Sequence, residues 1–188
     1  MKYVNNADIN STQPHLPVAD TDDQQHDMLR LIELVFFAYR DFVAAPDVVL
    51  ERLKFGRAHH RVLHFVNRNP GLPVADLLKV LRITKQSLAR VLKDLVKAGF
   101  IEQIPGLKDR RQRLLHTTRK GRELAVKLAD LQADHLGRAL EAAGTHHRPA
   151  IEAFLLSMVD ANESAMVKRF IGEPSSPQPG GTMSVHVR

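Results

Sequence analysis

The residue types with the clearest chemistry in this chain are the Lys and Arg side chains concentrated in its middle. Residues 52–122 hold 18 Lys and Arg against 4 Asp and Glu, whereas the two flanks together hold nine basic and 17 acidic residues. Each phosphate contact requires a cation, and a guanine edge accepts two hydrogen bonds from one arginine. A chain that is basic in the middle and acidic at both ends therefore indicates that its middle binds a polyanion.

Other kinds of chemistry find little support in the sequence. Cysteine is absent, which excludes disulfides, thiolate metal ligands and thiol-based redox sensing. No Gly-rich phosphate loop, nucleophile elbow or paired-carboxylate motif is present, so we expect no enzyme, no cofactor and no bound metal. No apolar run approaches the ~18 residues of a membrane span, and the N-terminus lacks the apolar stretch of a signal peptide. We therefore expect a cytoplasmic protein without a membrane partner.

Three histidines lie close together in the sequence, and several roles are open to them. His60 and His64 are one helical turn apart and have the spacing of two ligands to one metal ion, but apart from Glu51 no carboxylate is near and no cysteine is available. His59, His60 and His64 could also line an effector pocket or a subunit boundary. We favour a plain packing or solvent role for these histidines. If an effector pocket exists, His60 and His64 are the residues that we expect to line it.

The basic residues need a scaffold, and periodicity predicts three short helices followed by a hairpin. Apolar residues recur at helical spacing over 58–66, 74–81 and 84–98. Thr84 is a favoured N-cap, and Gly99 is a favoured C-terminal cap. This order is typical of a winged helix-turn-helix, in which the third helix enters the major groove.

The hairpin of this arrangement is predicted from alternating and turn-forming residues. Residues 100–104 and 113–117 have strand character, and 105–109 form a turn that contains Gly106. Arginines and a lysine occupy its tip and second arm. Because the polar face of the third helix is also basic, two elements would present cations to the same partner.

Longer helices are expected on both sides of this lobe. Apolar residues over 28–43 are so dense that a helix here must be buried on more than one side. Pro46 is expected to end it, with a short helical turn over 47–54. Thr118 begins another helix that ends near Gly144, and a last helix is expected over 147–171.

Four segments carry a family resemblance: NPGLPVADLLKVL, ITKQSLARVLKDLVKAGFIEQ, GLKDRRQRLLHTT and TRKGRELAVKLADL. In their order and spacing they resemble the MarR family of bacterial regulators over about residues 24–171. The Asp-Arg-Arg wing followed by Thr-Arg-Lys-Gly is the most specific part of the match. The fold class that we expect is mainly α with a small β-hairpin wing, a winged helix-turn-helix with N- and C-terminal dimerisation helices.

The resemblance implies roles for individual residues. Residues 84–98 would be the recognition helix, and Arg111 would enter the minor groove while Asp109 holds that arginine or the wing backbone. Arg110 and Lys108 would contact phosphates. The complete DNA-binding set expected is Lys85, Gln86, Ser87, Arg90, Lys93, Lys108, Asp109, Arg110, Arg111 and Arg113.

The resemblance also implies a domain organisation and an assembly. Its segments are a dimerisation helix and connector (24–54), the DNA-binding lobe (55–118) and the C-terminal dimerisation helices (119–171). The polar, Pro- and Gly-containing composition of residues 1–23 and 172–188 predicts a flexible tail at each end. The outer helices of two subunits would interlock, which would explain their apolar density. The expected dimer interface contains Leu31, Val35, Phe36, Leu136, Leu140, Phe154, Leu155 and Met158.

The function expected on this basis is that of a sequence-specific regulator of transcription. It would be a repressor that binds double-stranded DNA as a homodimer on a pseudo-palindromic operator, released by a small aromatic or anionic effector. Two rivals come from other classes. A winged helix that binds only protein would show little salt dependence, and a small enzyme or ligand-storage protein would need a catalytic or binding motif that the sequence does not offer.

Overall fold

The computed structural model describes residues 21–107 and 109–172, with side chains described from residue 25 onward. The predicted tails lie almost entirely outside these ranges, and so does Lys108. The described part of the chain divides into two compact units, one ending at Asp41 and the other beginning at Phe42. No helix within the described ranges is long and apolar enough to cross a membrane.

Helix α1 (Thr21–Glu51) runs through Pro46, so the prediction that this proline ends the helix is wrong. A proline inside a helix removes one N–H donor and its ring crowds the carbonyl four residues earlier, a cost of roughly 3 kcal/mol that other packing must offset. Val43, Pro46 and Leu50 are all buried and lie on one helical stripe. Their burial explains why the helix continues for five residues beyond the proline. The part of α1 in the first unit exposes its apolar side chains along its length.

The central lobe has the predicted order of three helices and a hairpin. It consists of α2 (Arg57–Arg68), α3 (Val74–Leu81), α4 (Lys85–Lys97), β2 (Ile101–Pro105) and β3 (Arg113–Thr117). A two-residue strand, β1 (Leu72–Pro73), joins the antiparallel sheet in the order β1-β3-β2. We did not predict β1, because two residues that include a proline carry no alternating pattern.

One hydrophobic core holds this lobe together. Leu63 of α2, Leu77 of α3, Leu88 of α4 and Leu115 of β3 are each at most 1% exposed. Strand β3 runs between its two neighbours, with Leu115 opposite Leu72 of β1. The core therefore fixes the buried sides of α4 and of the hairpin, and their other sides face solvent.

The chain continues into α5 (Arg119–Ala143), a single 3₁₀ turn (Thr145–His147), α6 (Arg148–Ser157) and α7 (Ser164–Ile171). The prediction of one helix over 147–171 is wrong, because the chain breaks between α6 and α7. Within this break, the Asp160 carboxylate accepts the Asn162 N–H at 2.9 Å. An aspartate that bonds nearby backbone in this way favours a turn over a helix.

Candidate nucleic-acid interface

Helix α4 begins at a well-formed N-cap. The Thr84 hydroxyl accepts the Ser87 N–H at 3.1 Å and donates to the Ser87 hydroxyl at 2.8 Å. This satisfies one of the N–H groups that the first turn of a helix leaves without a partner. Lys85 and Gln86 are consequently held in an ordered, exposed first turn.

The two sides of α4 differ sharply in exposure. Its buried side is formed by leucines and one valine, Leu88, Val91, Leu92 and Leu95, none more than 4% exposed. Every predicted DNA-binding residue of this helix is exposed, namely Lys85, Gln86, Ser87, Arg90 and Lys93. The core therefore orients the polar side of α4 toward solvent.

The turn between α3 and α4 is fixed by contacts that the sequence did not reveal. Arg82 adopts a left-handed conformation with φ +50°, and the guanidinium of Arg61 on α2 donates to the Leu81 carbonyl at 3.1 Å. On the same helix α2, the His59 ring accepts the Gly56 N–H at Nδ1 and faces Asp94 of α4 at 3.5 Å from Nε2. Helix α2 thus contacts both helices of the motif through polar side chains.

The wing tip is a tight turn with its own internal hydrogen bonds. Gly106 N–H donates to the Gln112 carbonyl at 3.0 Å, and a Cβ on Gly106 would lie 2.8 Å from the Asp109 carbonyl oxygen. The Asp109 carboxylate accepts the backbone N–H of Arg111 at 2.9 Å. Asp109 therefore contacts the wing backbone, the second of the two contacts considered for it.

The arginines of the wing extend into solvent. Arg110, Arg111 and Arg113 are all exposed. Helix α4 leads into the hairpin through Gly99, whose φ of +73° suits glycine, and the Phe100 N–H closes the end of the helix on the Leu95 carbonyl at 2.9 Å. The basic helix and the basic wing are therefore consecutive parts of one packed lobe.

Within the part of the chain that the structure describes, the predicted DNA-binding cations have no acidic partner. Over residues 21–107 and 109–172, no ion pair involves the basic residues of the predicted set, Lys85, Arg90, Lys93, Arg110, Arg111 and Arg113. Other cations of the region do have partners, as in the pairs Arg57–Asp47 and Arg119–Glu123. Unpaired exposed cations can exchange their counterions for phosphates at little cost.

The histidines predicted to line a pocket are withdrawn from solvent. His60 is buried and His64 is half-buried, and burial lowers the pKa of both rings. The pKa of His60 is lowered further by His64 and raised by Asp47, and the pKa of His64 is lowered further by Arg68. No group of three metal-ligating side chains occurs among the described residues. Whether these histidines line an effector pocket stays a prediction.

All but one of the residues predicted for a dimer interface are exposed in the single chain. In α1, Leu31, Val35 and Phe36 are each at least 42% exposed. Leu136 of α5 and the α6 residues Phe154 and Leu155 are similarly exposed, as is Met158, whereas Leu140 is half-buried.

Comparison with known proteins identifies the family. The MarR family profile matches residues 54–112. The HTH-type transcriptional regulator PetP of Rhodobacter capsulatus is 44% identical over 140 residues, which cover 74% of this chain and 82% of PetP. The chain belongs to the MarR family. The predicted family is therefore confirmed, and the chain is a DNA-binding transcriptional regulator of the MarR type.

Solved structures agree with the fold of this MarR-family chain. The transcriptional regulator SlyA is 16% identical with a TM-score of 0.60, and the match covers 76% of this chain and 99% of SlyA. The transcriptional repressor CouR, solved bound to a 23-mer DNA duplex, is 24% identical with a TM-score of 0.56, covering 69% of this chain and 89% of CouR. These similarities confirm the predicted winged-helix fold class.

Proposed function

We propose that this chain acts in the cytoplasm as a homodimeric repressor that binds a pseudo-palindromic DNA operator. The observation that carries the proposal is the set of exposed cations on α4 and the wing, which have no acidic partner among the described residues. Further support comes from CouR, a protein of the same fold that was solved bound to a DNA duplex.

In this proposal, α4 enters the major groove with its N-terminal residues toward the base edges. Lys85, Gln86, Ser87 and Arg90 contact bases or phosphates, since an exposed first turn of a recognition helix is the part that reaches the bases. Lys93 lies two turns further along and contacts a phosphate.

In the same proposal, the wing binds the minor groove. Arg111 enters that groove, where it senses groove width and A·T content more than exact sequence. Asp109 fixes the wing backbone through the Arg111 N–H, and Arg110 and Arg113 contact phosphates together with Lys108.

The dimer is supported by apolar surface that a monomer would leave in water. Leu31, Val35 and Phe36 of α1 are exposed, and so are Phe154 and Leu155 of α6. Large exposed apolar patches mark interaction sites in folded proteins. A twofold axis would bring two α4 helices to half-sites about 10 base pairs apart. A small aromatic or anionic effector, bound near His60 and His64, would release the operator by shifting the population of dimers.

The proposal is tested with operator fragments selected from random duplex DNA. Arg111→Ala should weaken operator binding by about 1–3 kcal/mol in fluorescence anisotropy at fixed salt. The matched control is Arg148→Ala, which removes the same charge from an exposed arginine of α6 that pairs with Glu152 and lies outside the proposed DNA contacts. Equal affinities of the wild-type protein and Arg111→Ala would contradict the role given to Arg111.

Salt dependence distinguishes this function from that of a protein-binding winged helix. Each phosphate contact that is lost should reduce the slope of log affinity against log salt by about 0.9. If the wild-type protein bound the selected fragments with an affinity that does not depend on salt concentration, the DNA-binding proposal as a whole would be contradicted.

A further inference from the structure

The C-terminal end of α4 is held by a lysine of the next helix. The ammonium group of Lys120, in the first turn of α5, donates to the Ala98 carbonyl at 3.0 Å. The same ammonium group lies 4.3 Å from the centre of the Phe100 ring. The last carbonyls of a helix lack intrahelical donors and carry partial negative charge, so a lysine is well suited to this position.

Thr118 and Gly121 complete this contact. The Thr118 hydroxyl donates to the Gly99 carbonyl at 2.7 Å and accepts the Gly121 N–H at 3.1 Å, while the Thr118 N–H donates to the Phe100 carbonyl at 3.1 Å. A Cβ on Gly121 would lie only 1.9 Å from the Phe100 carbonyl oxygen. The start of α5 therefore packs directly on the backbone that follows α4. We call Thr118, Lys120 and Gly121, together with the carbonyls of residues 98–100, the α4–α5 junction.

The junction lies at the opposite end of α4 from the residues that would contact bases. A helix of 13 residues is about 20 Å long, so a tilt of about 10° at its C-terminal end would move its first turn by about 3 Å. A displacement of that size exceeds the tolerance of a hydrogen bond to a base edge. Contacts at the junction can therefore control whether the first turn of α4 meets its bases.

We propose that Lys120 and Thr118 are positioning residues that fix the tilt of the recognition helix relative to α5. This inference rests on the proposed function, because it assumes that α4 reads DNA. Helix α5 continues for 25 residues toward exposed apolar positions such as Leu136. The junction thereby joins the recognition helix to the helix that would form the dimer, and specific binding depends on it.

A direct role for Lys120 is the alternative that the test must separate, because its side chain is exposed. A lysine that contacts a phosphate contributes equally to every DNA sequence and to the salt dependence of binding. A lysine that positions α4 contributes to the affinity for the selected operator, and its loss leaves the affinity for a scrambled duplex unchanged. The two roles therefore predict different ratios of specific to non-specific affinity.

The test compares Lys120→Met and Lys120→Arg with Lys127→Met, a control that removes an exposed lysine from the same helix. Anisotropy titrations use the selected operator and a scrambled duplex of equal length at three salt concentrations. We expect Lys120→Met to lose about tenfold in operator affinity, since hydrogen bonds to charged groups have that magnitude. Lys120→Arg should keep most of the affinity, and Lys127→Met should bind like the wild-type protein.

Thr118 provides a second variant pair in which no charge changes. Thr118→Val removes the hydroxyl that donates to the Gly99 carbonyl and accepts the Gly121 N–H, and Thr118→Ser keeps both hydrogen bonds. We expect Thr118→Val to lose operator affinity with an unchanged salt slope, and Thr118→Ser to bind like the wild-type protein. Sedimentation should give the same assembly for all variants.

Amide hydrogen exchange tests the junction without DNA. The amides of Ala98 and Gly99, which bond to the last turn of α4, should exchange faster in Lys120→Met than in Lys127→Met. Unchanged exchange would overturn the inference. A parallel loss of operator and scrambled-duplex affinity, with the salt slope reduced by about 0.9, would overturn it in favour of a phosphate contact. A wild-type protein that binds no duplex would overturn the proposed function, and the exchange data would still decide whether the junction holds α4.

Discussion

Replacement of Gly121 by alanine tests the close approach on which the α4–α5 junction depends. The added Cβ would lie 1.9 Å from the Phe100 oxygen and 2.9 Å from its carbonyl carbon. The start of α5 must therefore move by about 1.5 Å to restore ordinary van der Waals contact. Hydrogen bonds of 2.7–3.1 Å to the carbonyls of residues 98–100 would then exceed the usual bonding distance.

The magnitude follows from the contacts that this movement breaks. Three hydrogen bonds at about 1 kcal/mol each give a loss of about 3 kcal/mol. Replacement of a glycine by alanine within a helix stabilises the helix by about 0.5–1 kcal/mol, which offsets part of this loss. We therefore expect Gly121→Ala to lower the free energy of unfolding by about 2–2.5 kcal/mol, or the melting temperature by roughly 4–10 °C for a domain of this size.

The assay is urea unfolding followed by circular dichroism at one protein concentration, because an assembly would make the midpoint concentration-dependent. Gly137→Ala is the matched control in the same helix, since a Cβ there meets no atom within 4 Å. We expect the control to be neutral or slightly stabilised. If Gly121→Ala unfolds at the same urea concentration as Gly137→Ala, the close packing of α5 on Phe100 is refuted.

Two further predictions concern the buried histidines and the exposed apolar helices. Burial lowers the pKa of His60 and His64, so as the pH decreases the unfolded chain binds protons at these rings before the folded chain does. The free energy of unfolding should therefore fall as the pH decreases from about 6.5 toward the lowered pKa values of the folded state. His60→Gln should make this pH dependence shallower in urea unfolding at several pH values, and an unchanged dependence would refute the burial argument. Polar replacement by serine at Phe36 or Phe154 should lower dimerisation and DNA binding together. Leu107→Ser, which changes a fully exposed residue of the wing, is the control in the sedimentation experiment. A wild-type protein that sediments as a monomer at micromolar concentration would contradict the proposed dimer.

The parts of the site that the sequence predicted depend on local interactions. The N-cap Thr84 bonds to a residue only three positions away, and the hairpin joins strands that are close in the chain. Local hydrogen bonding and periodicity are what sequence patterns express directly. The order of the helices and the hairpin could therefore be predicted before the structure was known.

The parts that were missed depend on contacts between distant residues or on packing. Lys120 bonds to a carbonyl 22 positions earlier, and His59 faces a carboxylate 35 positions later. Lys120 belongs to the Thr-Arg-Lys-Gly motif, but the motif does not reveal which carbonyl its ammonium group contacts, and no sequence pattern pairs His59 with Asp94. Pro46 was expected to end α1 because its burial beside Val43 and Leu50 could not be anticipated from helix propensity alone.

The acidic residues of the basic segment explain why its cations stay available. Asp76 pairs with Lys79 and Asp94 faces His59, while Asp109 accepts the Arg111 backbone N–H. Three of the four carboxylates in residues 52–122 are therefore engaged within the lobe, and among the described residues none of them forms an ion pair with an arginine of the wing. Since exposed like charges repel one another, this arrangement costs stability in the free protein. Phosphates would relieve that repulsion, so DNA should stabilise the lobe most strongly at low salt, where the repulsion is least screened.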